Sequence, residues 1–349
     1  MFLSGTLRTE ILLLIVQNLN FVKSYKYLGV LFDEHLEFKQ CEQTLTDSAS
    51  RALGNIIAKL KGIKNMGCKT YTKLYENCVL PIMGYGSAIW AYGNTKGSQV
   101  VQNRAIRSFL GVHKYAANAA INGDMGWINC ATRQKIEMVR YWNRLCEMDN
   151  NRLTKHIFLW DYGKNMNNWS NCIKSVLIEC NMNDHFINQQ SCNLNHVKEK
   201  LLLLNVNTWK EEVSQKPKLE FYKTVKHEYL CEKYVYENLD RDIRSCVAQL
   251  CAGILPFEVE IGRFSNTPRD QRICKLCTCN TIENENHFLF ECPLYINSRA
   301  KLSENIVKYC TNYNNLEINE KLSILFEHPY YLGKYLKESL YIRQCKLYN

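Results

Sequence analysis

The feature that most constrains this chain is a set of four cysteine and histidine residues near its carboxyl end. Cys274 and Cys277 are followed by His287 and Cys292, which gives the pattern C-x2-C-x9-H-x4-C. Thiolate sulfur and imidazole nitrogen are the donors that tetrahedral zinc prefers, and a C-x2-C turn lets two thiolates wrap one ion. Four protein ligands leave no open position for a reacting water, so the spacing predicts a structural zinc site.

The segment that carries this pattern is short and is polar at residues 280–286. A structural zinc ion contributes on the order of 10 kcal/mol to the folding of small domains, which is enough to order such a segment. Two alternatives stay open at this point. The pattern could be a coincidence in a chain with 17 cysteines, and Cys279 could replace Cys277 as a ligand.

The number of cysteines and the hydropathy of the sequence indicate the cellular compartment of the chain. No apolar run approaches the ~20 residues that cross a bilayer, and the apolar residues 11–16 follow Arg8 and Glu10 instead of a basic leader. The cysteine count is odd, which argues against a complete disulfide framework. We therefore expect no membrane partner and an intracellular location, in the nucleus or cytoplasm, where thiols stay free or bind metal.

Positive charge is concentrated in about one quarter of the chain. The net charge is +10, and residues 38–120 hold eleven Lys or Arg against three acidic residues. Near the centre of this region, Tyr71 and Tyr75 are interleaved with a basic cluster. The cluster consists of Lys59, Lys61, Lys64, Lys69 and Lys73. Such a cluster can neutralise the phosphates of RNA or DNA, although a solvated helix face is the alternative explanation.

Apolar periodicity predicts a mainly α fold with a short β unit at residues 10–33. Apolar residues spaced three and four apart predict helices at residues 41–62, 69–81, 97–110, 132–148, 171–179, 197–205, 219–236 and 241–252, and two or three more from residue 301. The apolar run at 80–90 is expected to be buried. Residues 149–195 are Asn-rich and predict a linker or a weakly ordered region.

The residues that polymerase or hydrolase chemistry needs are not found in this sequence. A two-metal polymerase holds Mg²⁺ with closely set carboxylates, and the sequence contains no Asp-Asp pair. Asp240 and Asp242 come nearest, but we interpret them as a helix cap. There is no G-x-S-x-G turn and no glycine-rich phosphate loop. We therefore predict no catalytic residue in this chain.

Four motifs together resemble the C-terminal part of a non-LTR retrotransposon reverse transcriptase of the jockey-like type. They are SYKYLGV at 24–30, LPIMGYGSAIW at 80–90, VQNRAIRSFLG at 101–111, and LPFEVEIGR at 255–263 together with the C-x2-C at 274–277, HFLFECPLY at 287–295 and Arg299. The first is similar to the strand between palm and thumb, the middle two to signatures that follow the thumb, and the last to the terminal zinc-knuckle region. The match is good over about residues 20–115 and 240–300.

The resemblance implies a division of the chain into six regions. These are the end of the palm (1–33), a helical thumb and post-thumb region (34–150), a linker (151–195), a helical connection (196–262), a zinc knuckle (263–300) and C-terminal helices (301–349). It implies Cys274, Cys277, His287 and Cys292 as zinc ligands and an RNA–DNA duplex as the partner of the basic helices.

The resemblance also implies what this chain lacks. In the family, the endonuclease and the palm, with its paired aspartates and Mg²⁺, precede this region. We therefore expect an inactive fragment of an RNA-directed DNA polymerase from a transposable element, for which the missing palm is an intramolecular partner in the full-length element. A host protein-interaction module, or a relic without function, is the alternative.

Overall fold

The computed structural model describes residues 22–60, 63, 66–92, 96–164 and 168–348. Helices make up most of this part of the chain, and its strands form one two-stranded antiparallel sheet near the N-terminus. The prediction of a mainly α fold with a short N-terminal β unit is confirmed. Among the described residues, no helix combines the length and the apolar character that a membrane span requires.

The N-terminal hairpin is built around a two-residue turn. Strand β1 (Ser24–Tyr27) pairs with β2 (Val30–Asp33), so that Tyr27 lies opposite Val30. Leu28 and Gly29 have φ angles of +46° and +89°, and a turn with two positive φ angles matches the twist of the strands that it joins. Residues 10–21 of the predicted β unit lie outside the described part of the chain.

Six helices follow the hairpin: α1 (Lys39–Leu60), α2 (Cys68–Cys78), α3 (Leu80–Gly84), α4 (Ser87–Trp90), α5 (Gly97–Leu110) and α6 (Asn118–Met125). The predicted helices at 41–62, 69–81 and 97–110 correspond to α1, α2 and α5. Helix α2 ends before Pro81, which instead lies in the first turn of α3, where its missing amide hydrogen costs nothing.

The prediction that the whole apolar run at 80–90 is buried is wrong. Gly86 has a φ of +66° and turns the chain between the two short helices α3 and α4. Met83 and Trp90 face the core, whereas Tyr85 and Ile89 are 49% and 43% exposed. Each short helix can bury only one face, so the other face of an apolar run is left in solvent.

A second group of helices surrounds Trp142. It consists of α7 (Cys130–Cys146), α8 (Leu153–Tyr162), α9 (Trp169–Glu179), α10 (Asn183–Ile187) and α11 (Leu194–Ser214). The Trp142 ring contacts Phe158 and Phe186, each with a centroid distance of 5.3 Å. The weakly periodic region at 149–195 therefore contains three packed helices, of which only α9 had a clear helical pattern. The division into six regions stays a prediction.

The prediction of a single helix at 219–236 is wrong. Two short helices, α12 (Glu220–Val225) and α13 (Lys233–Tyr236), occupy its ends. Between them, the buried Lys226 ammonium donates to the carbonyl of Leu230 at 2.6 Å and pairs with Glu232. The Glu232 amide donates to the carbonyl of Asp124 at 2.9 Å. These contacts provide hydrogen-bond partners for the polar groups of the loop in place of helical hydrogen bonds. The apolar periodicity of the sequence gives no indication of them.

The remaining helices are α14 (Arg241–Cys251), α15 (Glu258–Phe264), α16 (Ile296–Ile306), α17 (Ile318–Glu327) and α18 (Pro329–Tyr348). Helix α14 packs along α18. The main hydrophobic core runs without interruption from Tyr71 and Phe109 to Phe288 and Leu336. The cysteine and histidine motif therefore lies against the same core as the N-terminal helices.

Candidate metal centre

Two local structures place the four predicted ligands. The first is a small antiparallel hairpin, in which Ile273 lies opposite Ile282 and the Cys274 amide donates to the carbonyl of Thr281 at 2.9 Å. Asn280 turns the chain near its tip with a φ of +51°, a conformation that asparagine adopts more readily than most residues. This hairpin carries Cys274 on one strand and Cys277 in the turn.

The second local structure is a single π-helical turn at His287–Glu291. It begins where the Asn284 side chain accepts a hydrogen bond from the His287 amide at 2.8 Å. It ends where the Cys292 amide donates to the carbonyl of His287, also at 2.8 Å. π-helical turns are rare and often occur at functional sites. This one brings the fourth ligand, Cys292, back beside the third.

The ligand atoms of Cys274, Cys277, His287 and Cys292 all lie within 4.8 Å of one another. Nε2 of His287 lies 3.5 Å from the Cys277 sulfur. A tetrahedral zinc ion with bonds of about 2.0–2.3 Å holds its ligands roughly 3.5–3.8 Å apart. The four side chains therefore have the donor set and the spacing for one tetrahedral metal ion. In the described part of the chain, no other group of three or more potential ligands converges in this way.

The orientation of His287 is fixed by residues that the sequence pattern did not indicate. Its Nδ1 atom lies 3.0 Å from Thr281 Oγ1 and 3.2 Å from Glu291 Oε2. A histidine that binds metal through one nitrogen usually donates its other N–H to a carboxylate, carbonyl or hydroxyl. Glu291 follows His287 by four residues in the turn, a spacing that could have been noticed in the sequence.

The thiols of the cluster differ in acidity. Burial raises the pKa of Cys274 and of Cys292. Partial burial also raises the pKa of Cys277, but hydrogen bonds to the Cys279 backbone and the Cys274 thiol outweigh it, and the net shift is downward. Metal binding replaces the thiol protons. The least buried thiol is thus the easiest to deprotonate first.

Cys279 lies outside the group of four. Its side chain is exposed, and it contacts the Cys277 thiol. A ligand on the solvent side would draw the ion away from the buried sulfurs of Cys274 and Cys292. The geometry therefore favours Cys277 over Cys279, which spacing alone left open.

The turn that carries His287 and Cys292 is braced by two distant side chains. Arg299 donates to the carbonyls of Leu289 and Cys292 at 2.9 and 2.8 Å. The Tyr335 hydroxyl of α18 donates to the carbonyl of Phe288 at 2.7 Å. Carbonyls that a short helical turn leaves unpaired need such donors.

The basic cluster is described only in part. Lys59, Lys69 and Lys73 are exposed, and none of them forms an ion pair with the described residues. Lys69 and Lys73 lie one helical turn apart on α2. Lys61 and Lys64 lie outside the described residues.

The tyrosines interleaved with these lysines do not face solvent. Tyr71 and Tyr75 are each 1% exposed. Tyr71 donates to the carbonyl of Ala105 at 2.7 Å, and the Tyr75 ring stacks on Trp127 at 4.3 Å. They belong to the core, so only the lysines remain available to a polyanion.

Asp240 and Asp242, interpreted from the sequence as a helix cap, do not form a metal site. Asp240 stands at the N-cap of α14, but its side chain makes no capping hydrogen bond. Asp242 pairs with Lys337 at 2.9 Å. Asp240 therefore stands at a cap position without the hydrogen bond expected of a cap, and Asp242 lies in the first turn of α14 instead of at its cap.

Comparison with known proteins gives one relationship. A stretch of 123 residues, 34% of this chain, is 28% identical to a probable RNA-directed DNA polymerase from transposon BS of Drosophila melanogaster. This chain is similar in part to a transposon reverse transcriptase. It spans only 14% of that relative's length. No protein-family model and no solved structure matches the chain.

Proposed function

We propose that this chain is a nucleic-acid-binding portion of a retrotransposon reverse transcriptase of the jockey-like type, corresponding to the C-terminal part of that enzyme. The partial similarity to a transposon RNA-directed DNA polymerase carries the proposal. The convergence of three sulfurs and one imidazole near the carboxyl end supports it, because the resemblance implies a zinc knuckle there.

The metal is proposed to be zinc in a structural role. Three thiolates and one imidazole suit zinc better than the hard cations Mg²⁺ and Ca²⁺, which prefer oxygen. Cys274, Cys277, His287 and Cys292 would hold the ion. A closed set of four ligands leaves no position for water or substrate, so this ion would hold the hairpin and the π-helical turn together.

Template–primer binding is proposed for the surface formed by the end of α1 and the start of α2. Exposed lysines that lack a carboxylate partner can approach phosphates without breaking an existing pair. Polymerisation is not proposed for this chain, since the paired aspartates that bind Mg²⁺ in the intact family enzyme are not in its sequence. In a full-length element, the palm would lie beside this surface.

A salt titration tests the proposal. The zinc-loaded chain should bind an RNA–DNA duplex with an affinity that falls linearly on a log–log plot against salt concentration. Each phosphate contact contributes roughly −0.9 to the slope. A triple substitution of Lys59, Lys69 and Lys73 by Gln should therefore make the slope shallower by about 2 to 3.

A charge-matched triple variant serves as the control. Lys233, Lys301 and Lys337 are paired with carboxylates at 2.7–3.0 Å, and exposed pairs contribute little to stability. Substituting these three by Gln should leave the slope nearly unchanged. Equal losses in both variants would show that net charge alone drives binding. Absence of salt-dependent binding in the wild-type chain would favour the alternative, a protein-interaction module.

A further inference from the structure

A buried ion pair lies directly behind the candidate metal centre. Glu283, on the second strand of the hairpin, is 1% exposed, and Arg343, near the end of α18, is 2% exposed. The guanidinium donates to both carboxylate oxygens, Nη1 to Oε1 and Nη2 to Oε2, the second at 3.0 Å. Such two-point pairing fixes both side chains.

Glu283 connects this pair to a metal ligand. Its Oε1 atom lies 3.6 Å from the Cys274 sulfur. Its Oε2 atom also accepts a hydrogen bond from the Glu258 amide of α15 at 2.9 Å. The carboxylate therefore joins the hairpin, α15 and α18 at the point where Cys274 enters the cluster.

The contact between Glu283 and Cys274 brings two negative charges together once a metal ion is bound. A divalent ion with three thiolates and a neutral imidazole carries one net negative charge. The buried Glu283 carboxylate places a second negative charge beside the buried Cys274. Two neighbouring negative charges in a buried site destabilise each other unless a cation compensates them. Arg343 is the cation that contacts Glu283 here.

We propose that Arg343 is a positioning residue of the metal centre, acting through Glu283, so that docking of α18 and binding of the metal ion are coupled. The inference rests on the proposed zinc site. Arg343 holds the Glu283 carboxylate in place and offsets its charge beside the Cys274 sulfur. Metal binding in turn keeps the hairpin against α18, because coupling between two binding events is reciprocal.

Zinc affinity, measured in the full-length chain against a chromophoric chelator, tests the proposal. Arg343→Met should weaken zinc binding by about 10- to 100-fold, the usual effect of losing a partner that supports a ligand. Arg343→Lys keeps the charge but not the two-point contact, and its affinity should lie between those of Arg343→Met and wild type. Cobalt substitution gives a second readout, since the intensity of its thiolate charge-transfer band reports whether all three thiolates still bind.

A double variant separates charge compensation from simple packing. Arg343 also lies 5.9 Å from the Phe257 ring, so its removal could act through lost contacts alone. In Arg343→Met combined with Glu283→Gln, the uncompensated carboxylate is gone, and zinc affinity should recover at least fivefold relative to Arg343→Met. If Arg343→Met does not fold, the zinc affinities of the double variant and of Arg343→Lys are compared with that of the wild-type chain.

Lys337→Met provides the matched control. Lys337 lies on the same helix and pairs with Asp242 on the surface, so its loss should leave zinc affinity unchanged. The inference is overturned if Arg343→Met and Arg343→Lys bind zinc as wild type does, if the double variant shows no recovery, or if Lys337→Met is equally weak. A wild-type chain that binds no zinc would instead overturn the proposed metal site itself.

Discussion

Replacing Phe288 by alanine tests whether an aromatic core holds the metal ligands in position. Phe288 directly follows the ligand His287 and is fully buried. Its ring contacts those of Phe257, Tyr295 and Tyr335, with centroid distances of 4.7, 4.6 and 5.9 Å. Phe288 therefore provides the aromatic contacts between the π-helical turn and the core, beside the buried Leu289.

The size of the effect follows from these contacts. Truncating a buried phenylalanine to alanine costs about 3–5 kcal/mol, and the cost rises with the cavity that is left. Each aromatic pair adds about 0.5–1.5 kcal/mol beyond the buried area. Because three rings surround Phe288, we expect a loss near the upper end of the range, about 4–5 kcal/mol in the free energy of unfolding.

Urea unfolding of the zinc-saturated chain measures this loss, and chelator competition shows how much of it appears as weaker zinc binding. Phe264→Ala is the control, since Phe264 is 71% exposed and a surface truncation changes stability by only about 0.5 kcal/mol. The reasoning is refuted if Phe288→Ala costs no more than the control. A normal zinc affinity in a strongly destabilised Phe288→Ala chain would show that the turn is held by the ion alone.

Two further predictions concern single side chains. Cys274→Ser should weaken zinc binding on the order of a hundredfold, because one of four ligands contributes about a quarter of the binding free energy. Cys279→Ser should leave zinc binding unchanged. The opposite ranking in chelator competition would make Cys279 the ligand. Burial raises the pKa of Asp124 to about 7 from 3.8, so the folded chain keeps a proton that the unfolded chain releases above about pH 4. The resulting stability is complete below that pH and falls by about 4 kcal/mol as the pH rises to 7. Asp124→Asn cannot release this proton, and its urea midpoints between pH 4 and 8 should lack that decline; an unchanged decline would contradict the assignment.

Helices whose apolar positions repeat regularly could be predicted from the sequence alone. Helix α5 has the predicted bounds, and α1 is within two residues of them where it is described. Regions where a tertiary contact replaces a helical hydrogen bond could not be predicted. The loop between α12 and α13 is one case, because Glu232 bonds to Asp124, which is more than one hundred residues away in sequence.

In the candidate site, too, features that are local in sequence could be predicted and distant contacts could not. Its four candidate ligands lie close together in sequence, so residue type and spacing were enough to predict that they converge. Glu291 is also local and could have been found from its distance to His287. Arg343 could not, because it is separated by 60 residues from the carboxylate that it pairs with. Its spacing from Leu332, Leu336 and Ser339 indicates the buried face of α18, but spacing does not indicate which residue it pairs with.

The burial pattern of the hairpin supports a role for both the proposed ion and the ion pair. Between Arg272 and Glu283, the fully buried side chains are Cys274 and Glu283, and no large apolar side chain is among them. A two-stranded hairpin is marginally stable in water on its own, and this one gains little from hydrophobic burial. Its two buried side chains are a thiol proposed to bind a metal ion and a carboxylate that pairs with Arg343. Removal of either partner should therefore release the hairpin while the aromatic core around Phe257 stays packed, and amide hydrogen exchange can resolve the two regions.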